Sequence, residues 1–259
     1  MQDLTITILQ SDLYWENPGA NLAMFEEKIW KINAPTDLIV LPEMFTTGFT
    51  MNAEALAEPM NLTAFKWMKQ QSAQTGAAIT GSVIIKEQDH YYNRLIWMEP
   101  DGKYFYYDKR HLFRMAEEHQ VYTPGADKLL VSWKGWNIRP LVCYDLRFPV
   151  WSRNRNNEYD LLLYVANWPE ARKLPWKVLL QARAIENLSY VVGVNRVGKD
   201  GKEIPYSGDS SIISPKGEIL WQKENSEEIF TYTLNKTELS SFRAKFPADM
   251  DADEFSIKH

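Results

Sequence analysis

The chain has 259 residues, 45% of them hydrophobic and 24% charged, which is ordinary for a soluble globular protein and enough to bury a sizeable core. A formal net charge of −5 leaves no basic footprint, so no nucleic-acid partner is expected. No apolar run is long enough to span a bilayer, no basic segment precedes an apolar one in MQDLTITILQ, and a lone cysteine cannot form an internal disulfide. A reducing, cytoplasmic setting without membrane contact is therefore expected.

LTITILQ, residues 4–10, is rich in β-branched and aliphatic residues and reads as a strand. In NPGANLAMFEEKIWKI, Asn17 is placed to cap and Pro18 suits a first helical position. Leu22, Phe25, Ile29 and Ile32 then recur at helical spacing. DLIVLPE is a short apolar strand bounded by Pro42, and LTAFKWMKQQSAQTG is a helix ending at Gly76. AAITGSVIIKE, NRLIWMEP and KYFYYDK read as strands, the last two joined by a turn at Asp101-Gly102. Further on, WNIRPLVCYD and DLLLYVAN are strands and PWKVLLQARAIENLS is a helix. YVVGVNRV, SSIISP, EILWQ and EEIFTYTL complete the strands.

Strands and helices alternate, with hairpins between, which predicts an α/β fold with mixed sheets. Two half-sets of strand and helix suit two sheets covered by helices. No Gly-, Ser- or Pro-rich linker divides the chain, so one domain over residues 1–259 is expected. The acidic tail FPADMDADEFSIKH, residues 246–259, reads either as a frayed end or as an arm that packs on a partner subunit.

The lone thiol, Cys143, sits in LVCYDLRFP between an apolar run and charged residues. A free cysteine is often a plain core residue. As a nucleophile it needs a base or cation beside it and a donor for the oxyanion. Of the histidines, His90 lies in an exposed-looking segment and His259 is terminal. A dyad with His111 or His119 has no supporting motif. Reactive groups in α/β sheets collect past the carboxyl ends of strands. Glu43, Lys109 and Cys143 all sit there, although each taken singly also reads as a solvated charge or a buried thiol. Trp168 and Arg172 follow the next strand end and read either as packing and a surface charge or as a substrate wall and a carboxylate clamp. Phe45 and the ring of Tyr107 are candidates for the same pocket.

Taken together, LPEMFTTGF around Glu43, DKRHLF around Lys109 and CYDLRFP around Cys143 resemble the nitrilase, or carbon–nitrogen hydrolase, superfamily. YTPG, ANWPEAR, QARAIENLSYVVGVNRVG and the YSGDSSIISPKGEIL run extend the resemblance over roughly residues 4–235. It implies a four-layer αββα sandwich, a homodimer or larger homo-oligomer, and no metal or organic cofactor. It also implies Glu43 as general base, Lys109 as oxyanion stabiliser and Cys143 as nucleophile, with the backbone N–H of Tyr144 as a second oxyanion donor. A further active-site glutamate is implied within MAEEHQ. Glu117 and Glu118 both qualify, and the distance to the Thr-Pro-Gly turn favours Glu118. Asp145 and Arg147 are expected to be scaffold, with Arg147 pointing away from Cys143 if the intervening residues are extended. Val150 stands where many relatives carry an acidic residue. Replacing Glu43 with Gln is expected to slow both turnover and thiol alkylation.

PEMFTTGF, ANWPEAR and ARAIENLSYVVGVNRVG look most like the bacterial ω-amidase branch. That branch hydrolyses the terminal amide of 2-oxo-dicarboxylic monoamides, such as 2-oxoglutaramate and 2-oxosuccinamate. The alternatives are an N-carbamoyl amide hydrolase or nitrilase with the same three residues, and a catalytically silent binding protein.

Overall fold

The computed structural model describes residues 2–257. The first half contains strands β1 (Leu4–Gln10), β2 (Leu38–Val40), β3 (Ala78–Glu87), β4 (His90–Met98) and β5 (Tyr104–Asp108). Its helices are α1 (Pro18–Trp30), α2 (Ala53–Leu56), α3 (Thr63–Thr75) and α4 (Glu118–Val121). The second half contains β6 (Val131–Trp133), β7 (Trp136–Val142), β8 (Leu161–Val165), β9 (Tyr190–Val194), β10 (Val197–Lys199) and β11 (Pro205–Ile213). It closes with β12 (Ile219–Glu224), β13 (Glu228–Leu234) and helices α5 (Pro149–Ser152), α6 (Lys173–Asn187) and α7 (Lys236–Lys245).

Two mixed sheets form, flanked by helices, as the αββα sandwich requires. The first has the order β13-β1-β2-β3-β4-β5 and the second β10-β11-β9-β8-β7-β6, with β12 paired to β11. Each has three neighbouring parallel strands at its centre, β1-β2-β3 and β7-β8-β9. Strand alternation splits the core between two faces. Leu38 and Val40 join the cluster that includes Leu4, Ile6 and Ile8 and reaches Val142, Leu161 and Leu163 of the other sheet. Ile39 and Leu41 face the other way, into a cluster with Phe25 and Ile29 of α1 and Met68 of α3.

The local signals explain the helix ends. The Asn17 side chain accepts a hydrogen bond from the Ala20 N–H at 3.1 Å and Pro18 opens α1. Gly76 ends α3 in the left-handed region at φ 68°. Three expectations need correction. The strand read through Asp145 ends at Val142, because Cys143 has φ 45° and residues 143–147 form a 3₁₀ turn. The run YVVGVNRV breaks at Asn195-Arg196 into β9 and β10, because the Asn195 side chain bonds across to Trp168 and Gly208. Helix α7, which was not anticipated, buries just Leu239 fully and so carries little apolar periodicity; Asn235 caps it.

The tail does not extend away from its own chain. Phe255 and Ile257 lie against Trp151 and Arg155, with the Arg155 guanidinium bonded to the Phe255 carbonyl at 3.1 Å. Residues 258 and 259, and with them His259, lie outside the described residues. Among the described residues, no helix is long and apolar enough to cross a membrane.

Candidate active site

Strand register sets the position of the site. Val142, Val165 and Val194 align across β7, β8 and β9, so Cys143, Asn167 and Asn195 emerge at one level of the second sheet. Glu43 emerges just past β2 of the first sheet and Lys109 just past β5. The ends of both sheets thus bring Glu43, Lys109 and Cys143 together. All three are buried, at 0%, 1% and 8% exposure, which makes their partners decisive.

The Lys109 ammonium donates to Glu43 Oε1 at 2.9 Å and to both Glu118 oxygens at 2.9 and 3.0 Å. Glu118 is fully buried, whereas Glu117 is exposed and left-handed at φ 59°, so the structure places Glu118 in this cluster. Asn93 Nδ2 bridges the two glutamates, at 2.8 Å to Glu43 and 3.3 Å to Glu118. Glu43 Oε2 accepts the backbone N–H of Asn167 at 2.8 Å, and the Asn167 amide donates to the Glu43 carbonyl. Cys143 Sγ lies 3.9 Å from the Asn167 carbonyl oxygen. Asn93 and Asn167 were missed by the sequence reading, since an asparagine within or after a strand carries no pattern of its own.

The electrostatics follow from burial and these contacts. Burial pushes the Cys143 thiol well above its ordinary value, and Glu43 raises it further despite Lys109. Burial opposes the charge on Lys109, but Glu118 and Glu43 outweigh it and hold the ammonium protonated. Glu118 is raised by burial, against the pull of Lys109 and with a further push from Glu43.

The turn holding Cys143 is organised by Asp145. This buried carboxylate accepts the backbone N–H of Val142 at 3.0 Å and of His111 at 3.0 Å. It also bonds the His111 ring at 2.7 Å and accepts the Tyr107 hydroxyl at 2.8 Å. Trp151 Nε1 donates in turn to Tyr107 at 2.9 Å. Asp145 therefore ties the segment after Lys109 to the turn of Cys143. Asp145 is scaffold as expected, though through these bonds and not through an ion pair with Arg147, and the His111 ring is turned to Asp145 rather than to the thiol.

A cleft opens above Cys143 and Lys109. Tyr144, Trp168 and Arg172 line it as expected. Phe45 does not: it is fully buried against Phe25 and Trp67, ring centroids 5.7 and 5.8 Å away. The turn after β2, with Met44 at φ 42°, swings Phe45 into the core and presents Phe49 to the cleft, over the Lys109 ammonium. The Tyr107 ring is likewise buried beneath Asp145 and lines no cleft. Arg147 also departs from expectation. The residues after Cys143 turn rather than extend, and its guanidinium reaches the cleft, 5.0 Å from the Trp168 ring centroid. Asp200, Lys202 and Tyr206, from the loop before β11 and its start, add to the wall; Tyr206 opens the YSGDSSIISPKGEIL run but was not singled out, and Asp200 and Lys202 had no sequence signal.

Gly125 of the YTPG stretch has a steric reason. A Cβ there would lie 2.2 Å from the Asp108 carbonyl oxygen. Its N–H holds the Lys109 carbonyl at 3.0 Å.

A buried thiol with a glutamate and a lysine at the joined ends of two sheets, under a cleft, is an arrangement suited to acyl transfer. The carbon–nitrogen hydrolase family profile matches residues 5–244, and the chain belongs to that family. Omega-amidase YafV of Escherichia coli K12 is 49% identical over 258 residues, covering 99% of this chain and 100% of that one. The 2-oxoglutaramate amidase of Bacillus subtilis is 32% identical over 247 residues, covering 94% of this chain and 95% of that one. Among solved structures, XC1258 from Xanthomonas campestris, a CN-hydrolase superfamily protein with an arsenic adduct in the active site, matches with a TM-score of 0.97. Its identity is 45%, with 100% of both chains covered. Among the described residues, no group of three or more His, Cys, Asp or Glu side chains is placed to hold a metal.

Proposed function

We propose that this protein is an ω-amidase, hydrolysing the terminal amide of 2-oxo-dicarboxylic monoamides such as 2-oxoglutaramate and 2-oxosuccinamate to the 2-oxo acid and ammonia. The observation that carries the reading is the Glu43–Lys109–Cys143 cluster beneath a cleft whose wall carries arginines. The full-length similarity to proteins named omega-amidase and 2-oxoglutaramate amidase supports the substrate class.

Cys143 is held as a neutral thiol in the resting site, so attack requires a proton acceptor. Glu43 takes the thiol proton as sulfur bonds to the amide carbon, and Lys109 with the Tyr144 N–H stabilises the oxyanion. Collapse breaks the C–N bond, and Glu43 returns the proton to the leaving nitrogen, which departs as ammonia. Water then gives a proton to Glu43 and adds to the thioester. Its collapse breaks the C–S bond, and the sulfur regains the proton. Glu118 holds Lys109 in place and helps position substrate and water. Arg172 clamps the substrate carboxylate. No step requires a metal or an organic cofactor.

The chain acts as one hydrolase domain, in the cytoplasm, as a homodimer or larger assembly. Leu174, Val178 and Ile185, exposed at intervals along α6, support an apolar contact between copies. The test is ammonia release from 2-oxoglutaramate, 2-oxosuccinamate, glutamine, a carbamoyl amino acid and a simple nitrile, with Cys143→Ala as the inactive control. Carbon dioxide release from the carbamoyl amino acid at a higher kcat/KM would overturn the amidase reading. Comparable kcat/KM for glutamine and 2-oxoglutaramate would overturn the 2-oxo acid assignment.

A further inference from the structure

The arginines of this chain differ in what holds them, and Arg110, Arg153 and Arg155 reach backbone carbonyls. Arg94, Arg139, Arg183, Arg196 and Arg243 each hold a carboxylate. Arg147 and Arg172, both in the cleft, make no ion pair and no side-chain hydrogen bond to any described residue. Each is held instead by an aromatic face, Arg147 at 5.0 Å from the Trp168 ring and Arg172 at 5.1 Å from that of Phe113. Stacking fixes the plane of a guanidinium while leaving its N–H groups free. The aromatic supports are themselves fixed. Trp168 Nε1 donates to the Arg172 carbonyl at 2.7 Å, and Phe113 packs edge-on to Tyr144 at 5.0 Å. Lys202 adds a third cation without an ion pair among the described residues.

The acidic residue lining the same cleft, Asp200, is engaged at both oxygens. Its oxygens take the N–H groups of Lys202 and Ile204 at 2.8 and 3.0 Å and the Tyr206 hydroxyl at 3.0 Å. A ligand entering here therefore meets cationic donors with no ion pair, and a carboxylate already hydrogen-bonded at both oxygens. We infer that Arg147, acting with Arg172, forms a two-guanidinium seat for the carboxylate and adjacent 2-oxo oxygen of the substrate, and that Arg147 is a specificity-determining residue. This rests on the ω-amidase reading.

The chemistry of the two ends matches. A 2-oxo acid is flat and presents three oxygen acceptors in one plane. One guanidinium forks onto the carboxylate, and the second bridges a carboxylate oxygen and the keto oxygen. An amino acid amide presents an ammonium at the same carbon. There it faces Arg147, Arg172 and Lys202, and the one carboxylate of the wall, Asp200, is already bonded at both oxygens, so rejection is built from like charge as well as lost hydrogen bonds.

The experiment compares wild type, Arg147→Gln and Arg147→Met, the second keeping an unbranched apolar stem against Trp168. Kinetics on 2-oxoglutaramate and glutamine are measured with the calorimetric Kd of the product 2-oxoglutarate, and thermal melting checks the fold. Loss of one charge-assisted contact should raise KM for 2-oxoglutaramate and Kd for 2-oxoglutarate by about 10–100-fold, with kcat falling less. The preference over glutamine should narrow. A folded Arg147 variant with wild-type KM and Kd overturns the seat and leaves the ω-amidase reading standing. A wild type that does not prefer 2-oxoglutaramate overturns the ω-amidase reading and, with it, this one.

Discussion

Replacing Lys109 with Met tests the charge balance of the site directly. The variant keeps an unbranched side chain but removes the ammonium that bonds Glu43 once and Glu118 twice. Two fully buried carboxyl groups are left bridged by the Asn93 amide alone. Removing one partner of a buried ion pair costs about 3–5 kcal/mol, and for a chain of this size each kcal/mol lowers Tm by about 2–4 °C, so a fall of about 6–20 °C is expected. The pH dependence has a definite sign. Glu118 is already raised by burial and by Glu43. Without Lys109, which opposes that shift, its folded-state pKa rises further. A carboxyl raised in the folded state favours folding below its unfolded value, here 4.5, and that advantage is lost as pH rises through the folded value. The Tm gap between variant and wild type should therefore narrow as pH falls from 8 to 5. Adding Glu118→Gln to Lys109→Met should recover part of the lost stability at pH 8. Differential scanning calorimetry across that range decides the matter. A Lys109→Met protein as stable as wild type at pH 8 would refute the reasoning.

Glu43→Gln should lower kcat by about 10²–10⁴-fold through loss of the proton carrier. Its thiol should nevertheless alkylate faster at neutral pH, since the charge of Glu43 raises the thiol; this reverses the expectation from sequence. Mass spectrometry after timed iodoacetamide treatment reports it, and slower alkylation would contradict the electrostatics. In the wild type, alkylation should keep climbing with pH past the range of an ordinary thiol, because burial keeps Cys143 protonated; a plateau below pH 8 would count against this. Gly125→Ala should cost more than about 4 kcal/mol in urea unfolding, or prevent folding, because its Cβ would meet the Asp108 carbonyl oxygen at 2.2 Å. A variant within about 1 kcal/mol of wild type, the usual size of a point-mutant effect, would show that the backbone yields there.

The strand ends were legible because each follows a run of β-branched and aliphatic residues, and Glu43, Lys109 and Cys143 each close such a run. Glu118 was legible by its distance from a turn, and its neighbour Glu117 was separated from it just by the backbone. What failed was direction. Strand alternation extrapolates a side chain's face only while the backbone stays extended. Met44 and Cys143, at φ 42° and 45°, break that rule just before Phe45 and Arg147, and both of those side chains point opposite to expectation. No residue type announces such a turn here, since neither position is glycine. Asn93, Asn167 and the Asp200–Lys202 pair come from three separate segments, and their placement is set by sheet register rather than by local pattern.

Cys143 is the chain's single sulfhydryl. Should an oxidant convert it to the sulfenic acid, no second thiol in the same chain is there to condense with it and halt the climb to irreversible states. Rescue falls to a reductant from solution, and it must pass a cleft walled by Arg147, Arg172 and Lys202. A small thiol bearing carboxylates fits that entrance better than a neutral or cationic one. The same charges that select the substrate would then decide which reductant can restore the enzyme.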